Sequence, residues 1–156
     1  PSVPQVLRLL DYVIFKALIG NHDAHAKNLS LLNSGKALVM APYYDTLSTA
    51  VYPTLTQKMA MKIGSKYKFS EVQARHWEQF AECVGFTKAQ AKRRILELAK
   101  LLPATARKLQ SDPGQSFAGN AVVEQINTLI EQRCALTIRR LTDPAADNDA
   151  AAEPSV

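Results

Sequence analysis

Asp23 and Asn28 lie five positions apart in Gly20-Asn21-His22-Asp23-Ala24-His25-Ala26-Lys27-Asn28, and Tyr43-Tyr44-Asp45 follows after a short apolar stretch. These residue types suit phosphoryl transfer. A carboxylate has to receive the proton of an attacking hydroxyl, and hard oxygen donors have to hold the magnesium that neutralises charge on the moving phosphate. In that scheme Asp23 is the base, and Asn28 with Asp45 supplies the metal donors. Spacing alone is weak support, because Asp143 and Asn148 stand equally far apart. Context separates the pairs: the first follows an apolar helix and opens a strand, whereas the second sits in a Pro/Ala/Asp stretch.

Each residue also has a plainer reading. A loop aspartate such as Asp23 is often a turn residue, Asn28 a loop amide satisfying backbone groups, and Asp45 a helix cap. Lys27 is either a point charge for a phosphate or an ordinary exposed lysine. Tyr43 and Tyr44 either pack or cover a nucleotide base. His22 and His25 flank Asp23, but a zinc or iron site needs a further convergent ligand, and neither His-Glu-x-x-His nor paired cysteines occur. His25 is read instead as a hydrogen-bonding partner that orients the loop. His76, one turn before Phe80, is read as a boundary histidine.

The elements that must position these groups follow from periodicity. Val6, Leu10, Val13, Ile14, Ala17 and Leu18 recur at helical spacing, and Gly20 ends the helix where a left-handed residue is cheapest. Leu29–Leu32 and Ala37–Met40 flank Asn33-Ser34-Gly35-Lys36 as a hairpin with a four-residue turn, which would return Asp45 toward Asn28. Asp45-Thr46-Leu47-Ser48 resembles a helix start. Residues 57–63 suggest a short extended piece. Ser70-Glu71 is read as the start of a helix through Trp77, Phe80 and Val84. Thr87 caps another, with Arg93 and Glu97 paired outside, Pro103 starts a shorter helix, and a last long helix runs from Val123 to Leu141.

With 156 residues, 47% hydrophobic and 21% charged, the chain suits one domain with a single core. No apolar run reaches the roughly 18 residues of a membrane span and no secretory signal opens the chain, so a cytoplasmic location with no membrane partner is expected. Cys83 and Cys134 are read as small buried hydrophobes. Net charge is +5, but residues 58–108 carry twelve Lys/Arg against four Glu. That excess suits phosphates, an acidic partner or simple solvation. The acidic residues 143–156 are too poor in apolar groups to pack and are expected to be a disordered tail. Neither a Gly-x-Gly-x-x-Gly loop nor a phosphate loop is present: Gly114 to Gly119 is followed by Asn120-Ala121 rather than Lys-Ser/Thr.

The stretch Leu18–Leu32, with Ala41-Pro42-Tyr43-Tyr44-Asp45-Thr46-Leu47-Ser48, strongly resembles the C-terminal lobe of HipA-like serine/threonine kinases, the toxins of bacterial toxin-antitoxin pairs linked to persistence. The resemblance runs from about residue 4 to 141. It implies a mainly helical, protein-kinase-like C-lobe over residues 1–142, with a small hairpin carrying the catalytic and metal-binding loops. By the same resemblance Asp23 is the catalytic aspartate assisted by His25 and Lys27, Asn28 and Asp45 hold Mg2+, and Tyr44 and Lys27 lie beside ATP. The implied partners are a protein substrate, for which the family offers aminoacyl-tRNA synthetases, and a helix-turn-helix antitoxin through which DNA is reached indirectly. The lobe that grips ATP is missing, and with Pro1 at the start the chain reads as a fragment, expected to be inactive alone. Two other classes fit the residues: a small-molecule phosphotransferase lobe, which shares Asp23-x-His25-x-x-Asn28, and a non-catalytic basic helical binding module.

Overall fold

A computed structural model describes residues 3–147. Helix α1 (Val3–Leu18) leads into a loop and the antiparallel hairpin β1 (Leu31–Ser34)/β2 (Ala37–Met40). A second hairpin, β3 (Lys58–Ile63)/β4 (Lys66–Lys68), follows, and then α2 (Ala74–Cys83), α3 (Lys88–Gln110) and α4 (Ala121–Thr142). The architecture is thus mainly helical with two small hairpins.

The core forms where the helices meet. Leu10, Ile14 and Leu18 of α1 pack with Trp77 of α2, Ile95 and Ala99 of α3, and Ile130 and Cys134 of α4. Burying each large apolar side chain contributes about 1.5–3 kcal/mol, so this junction dominates the stability. Toward its C-terminal end α1 is buried on nearly all sides, and Tyr12 and Lys16 are as enclosed as Ile14. Caps follow local chemistry: Thr87 and Gln90 form a capping box at α3, and the Asn120 side chain accepts from Val122 N and Val123 N at α4.

Several expectations need correction. Pro103 does not start a new helix, because α3 runs unbroken through it. Leu102 and Ala106 pack on the core, and Arg107 forks onto Glu131 at 2.6 and 2.9 Å, so tertiary contacts outweigh a proline cost of about 3 kcal/mol. Arg94 rather than Arg93 pairs with Glu97, at 2.8 Å, and its fork also holds Asp11 of α1 at 2.6 and 2.9 Å. Ser70-Glu71 belongs to a three-residue turn, Phe69–Glu71, and α2 begins at Ala74. There His76 is buried rather than at a boundary, and its Nδ1 accepts from Gln73 N at 2.9 Å. Cys83 is exposed, whereas Cys134 is buried, with its thiol pushed up to about 12 by desolvation.

The first hairpin pairs Leu31 with Met40 and Ser34 with Ala37, which leaves a two-residue turn, Gly35-Lys36, instead of four. Gly35 takes φ +67°, the region such a turn demands. The extended piece expected at residues 57–63 is β3, whose partner β4 periodicity did not reveal. Of the tail, Pro144–Asp147 forms a turn with Ala146 packed inward. Residues 148–156, for which disorder is expected, lie outside the described residues. Among the described residues, no helix is long and apolar enough to cross a membrane.

Candidate functional site

The site begins where α1 stops. Gly20 adopts φ +77°, and a Cβ placed there would stand 2.8 Å from Leu129 Cδ2 and 2.9 Å from Ala50 Cβ. Only glycine lets the chain reverse this tightly between α4 and the turn at Thr49–Val51. His22 is then held from four sides. Its N–H donates to Thr49 Oγ1 at 2.9 Å, its carbonyl accepts from Ala60 N at 2.7 Å, and its ring meets Thr56 O at 3.2 Å and Arg133 at 2.8 Å. Because a guanidinium only donates, His22 Nε2 must accept and Nδ1–H must donate to Thr56 O. Burial, and then the charge of Arg133, hold the imidazole below its ordinary pKa, so the ring is neutral.

Asp23 follows directly. Its carbonyl accepts from His25 N at 2.9 Å and from Asn28 Nδ2 at 3.0 Å, which rounds the loop into the short turn Ala26–Asn28. The Asp23 carboxylate is solvent-facing, with its Oδ1 3.1 Å from His25 Nε2. Asn28 is buried and its amide also donates to Asp45 Oδ2 at 3.0 Å, so two groups 17 positions apart meet. Lys27 is exposed, and its ammonium makes no hydrogen bond or ion pair among the described residues. Its carbonyl accepts from Tyr44 Oη at 3.4 Å, and Tyr44 Oη also meets Ser30 Oγ at 2.8 Å. Tyr43 packs: its ring lies edge-on to Tyr12 with centroids 5.3 Å apart, and its hydroxyl donates to Arg8 O.

Asp45 does not cap a helix. It takes φ +52°, no regular structure follows until Thr49, and the short turn there does not involve it. Aspartate tolerates this left-handed conformation better than most residues, and the conformation is held by its neighbours. Lys16 Nζ donates to Asp45 O at 2.7 Å and to Tyr44 O at 3.1 Å, and Asn21 Nδ2 donates to Asp45 O at 3.0 Å. Desolvation lowers the Lys16 pKa against the opposing pull of Asp45 and Asp23. Lys16, Asn21 and Arg133 carry no motif that marks them as site residues, and His22, which the sequence offers only as a candidate metal ligand, is instead a buried anchor of the loop. Lys16 left one trace in the sequence, a charge inside an apolar helix face. Arg133, 111 positions from His22, left none.

Two donor atoms remain for a cation. The Asn28 amide nitrogen is committed to Asp23 O and Asp45 Oδ2, while Asn28 Oδ1 and Asp45 Oδ1 bond no other described residue. One carboxylate and one neutral amide form a hard, oxygen-only pair that suits magnesium sharing its shell with phosphate oxygens and water. A transition-metal site has no such support: among the described residues no three His, Cys, Asp or Glu side chains gather. Beside the loop, Ala24, Lys16 and Asn21 line a cavity of about 120 Å³ with Ala60, Met61 and Lys62 of β3. On the other side, an apolar groove of about 470 Å³ runs between Val6 and Leu9 of α1 and Leu31, Leu38 and Met40 of the first hairpin.

The sequence model of the HipA-like C-terminal domain matches residues 1–106. Y4mE of Sinorhizobium fredii (strain NBRC 101917 / NGR234), named as a candidate kinase, is 36% identical over 131 residues, which is 84% of this chain and 31% of that protein. The serine/threonine-protein kinase toxin HipA of Shewanella oneidensis is 26% identical over 95 residues, 61% of this chain and 22% of its own length. Among solved structures, the Shewanella oneidensis MR-1 toxin-antitoxin complex of HipA, HipB and operator DNA contains a chain that superposes with a TM-score of 0.75 at 24% identity, over 85% of this chain and 32% of that one. That likeness concerns the fold. This chain therefore spans about a third or less of the length of the relatives it matches.

Proposed function

The chain belongs to the HipA-like C-terminal domain family, and from that premise we propose that it is the base- and metal-bearing lobe of an ATP-dependent serine/threonine protein kinase. The observation that carries this reading is the meeting of Asn28 and Asp45 at 3.0 Å, on an amide that also fixes the Asp23 carbonyl. Asp23 takes the proton from the acceptor hydroxyl, and His25, 3.1 Å away, orients its carboxylate. Asn28 Oδ1 and Asp45 Oδ1 would hold Mg2+, which would supply charge neutralisation on the phosphates of ATP. Lys27 stands on the exposed rim as a phosphate contact. Tyr44 and the apolar groove beside β1 and β2 flank the nucleotide. The roles of Lys16 and Asn21 are to keep the Asp45 backbone in its left-handed turn, and that of His22 is to keep Asp23 at the mouth of the loop.

Grip on ATP is assigned to a further lobe, on the same polypeptide or on a separate one, so this chain by itself is proposed to be inactive. In the cell the whole protein works as a cytoplasmic toxin linked to persistence, restrained by a helix-turn-helix antitoxin that carries operator DNA, as the Shewanella complex unites HipA, HipB and DNA.

The test begins with Mn2+ as a paramagnetic stand-in for Mg2+. Selective broadening of the Asn28 and Asp45 resonances, lost in Asp45→Asn and Asn28→Ala, is the expected result. Broadening centred on other carboxylates would sink the metal assignment. In a protein of relative length, Asp23→Asn should abolish phosphorylation of a protein substrate while leaving the Mn2+ response in place. Turnover of small alcohols instead of proteins would move the assignment to a small-molecule phosphotransferase.

A further inference from the structure

The β3/β4 hairpin concentrates positive charge. Residues 58–68 carry Lys58, Lys62, Lys66 and Lys68 and no carboxylate. Lys66 pairs with Glu71 at 3.1 Å, while Lys58, Lys62 and Lys68 have no ion-pair partner among the described residues and are exposed. Lys58 is the direct cross-strand partner of Lys68. Like charges set opposite each other in an antiparallel pair are destabilising, so this arrangement carries a cost that a merely solvated face would not require.

Position gives the charge a use. Ala60, midway between Lys58 and Lys62, donates its N–H to His22 O at 2.7 Å, one residue before Asp23. Lys62 and Ala60 share the wall of the small cavity with Ala24, one residue after Asp23. The strand thus lies along the loop that presents the Asp23 carboxylate to solvent. Along β3, Met59 and Ile63 turn into the core while Lys58 and Lys62 face out. The two lysines lie four residues apart on a strand whose register slips between Lys58 and Ile63, which keeps them within about 13 Å of each other. An extended polypeptide lying beside β3 would meet them with side chains at the same spacing.

We propose that the β3/β4 hairpin is the docking face for the acceptor polypeptide and selects an acidic segment, with carboxylates two residues before and two residues after the hydroxyl residue facing Asp23. This rests on the kinase reading above. Nucleic acid fits the charge less well, because strand alternation puts Tyr67, the exposed ring of the hairpin, on the face opposite Lys68, so it cannot stack a base beside the lysines.

The test uses the full 156-residue chain and a labelled extended peptide bearing Glu-x-Ser-x-Glu, with Gln-x-Ser-x-Gln and a single-stranded RNA oligonucleotide of matched charge as comparisons. Fluorescence anisotropy should show binding of the acidic peptide that weakens with salt, weakens about tenfold or more in the Lys58→Gln/Lys62→Gln/Lys68→Gln variant, and is absent for the Gln peptide. Circular dichroism and thermal melts confirm that this variant remains folded, and Lys92→Gln/Lys100→Gln/Lys108→Gln on α3 serves as a charge-matched control that should bind unchanged. Equal loss in the α3 control, retained binding in the hairpin variant, or tighter binding of the RNA would overturn the proposal. The Mn2+ experiment reports separately: with Asp45→Asn, lysine-dependent peptide binding should persist. A failed metal response with intact peptide binding removes the kinase reading alone, and the reverse removes the docking face alone.

Discussion

Gly20→Ala tests whether the turn that launches the candidate loop is as tight as its contacts indicate. Two costs add. A left-handed alanine costs about 1–2 kcal/mol, and a Cβ placed 2.8 Å from Leu129 Cδ2 and 2.9 Å from Ala50 Cβ adds an overpacking cost of about 1–3 kcal/mol. Loss of glycine freedom in the unfolded chain returns about 0.4–1 kcal/mol. Gly35→Ala isolates the first cost, because Gly35 shares the positive φ, +67°, yet nothing lies within 4 Å of its would-be Cβ. Urea denaturation should place Gly35→Ala within about 1.5 kcal/mol of the parent and Gly20→Ala about 1–3 kcal/mol lower still. In a chain of this size that added loss is a Tm drop of about 2–4 °C per kcal/mol. The variant should also lose Mn2+ broadening at Asn28, since the turn sets the loop's origin. Adding Leu129→Ala should relieve part of the Gly20→Ala cost, giving less than additive loss. Equal stability of Gly20→Ala and Gly35→Ala would refute the close approach of α4 and the Thr49–Val51 turn.

Three further outcomes follow from contacts described above. His22 is held neutral with its pKa below 6.5, so below pH 6.5 the unfolded chain binds the proton more readily; stability is full above that pH and falls as pH drops toward the folded value, and His22→Gln should flatten that slope in pH-dependent urea melts. Arg133→Met leaves the Ala17 carbonyl and His22 Nε2 without their donor, and should cost about 1–3 kcal/mol in chemical denaturation, with Arg133→Lys recovering only part because one ammonium cannot reproduce the fork. Asp11→Asn breaks the bidentate link from α1 to Arg94 of α3. As that pair is part-exposed, the loss should be about 1 kcal/mol, and a double-mutant cycle with Arg94→Gln should return most of it as coupling.

What the sequence determined by itself was set by near neighbours. Helical spacing marked α1, α2, α4 and both halves of α3, though it split α3 at Pro103; Thr87 marked the start of α3, and the Gly20–Asn28 stretch with Tyr43-Tyr44-Asp45 marked the residues that the loop and first hairpin bring together. Two short apolar runs on either side of Asn33-Ser34-Gly35-Lys36 also located the first hairpin, although its turn is shorter than expected. What only the tertiary structure decided was set by partners distant in the chain. Pro103 stays helical because α4 supplies Glu124 and Glu131 to Arg107. Asp45 takes a left-handed turn rather than a cap because Lys16 and Asn21 claim its carbonyl. Lys16 is buried because those carbonyls await it, and Arg133 reaches His22 because α4 packs back across the end of α1. Local periodicity encodes which face of an element is apolar, but the polar atoms that satisfy a buried lysine or a strained aspartate are chosen only when helices from opposite ends of the chain close on one another.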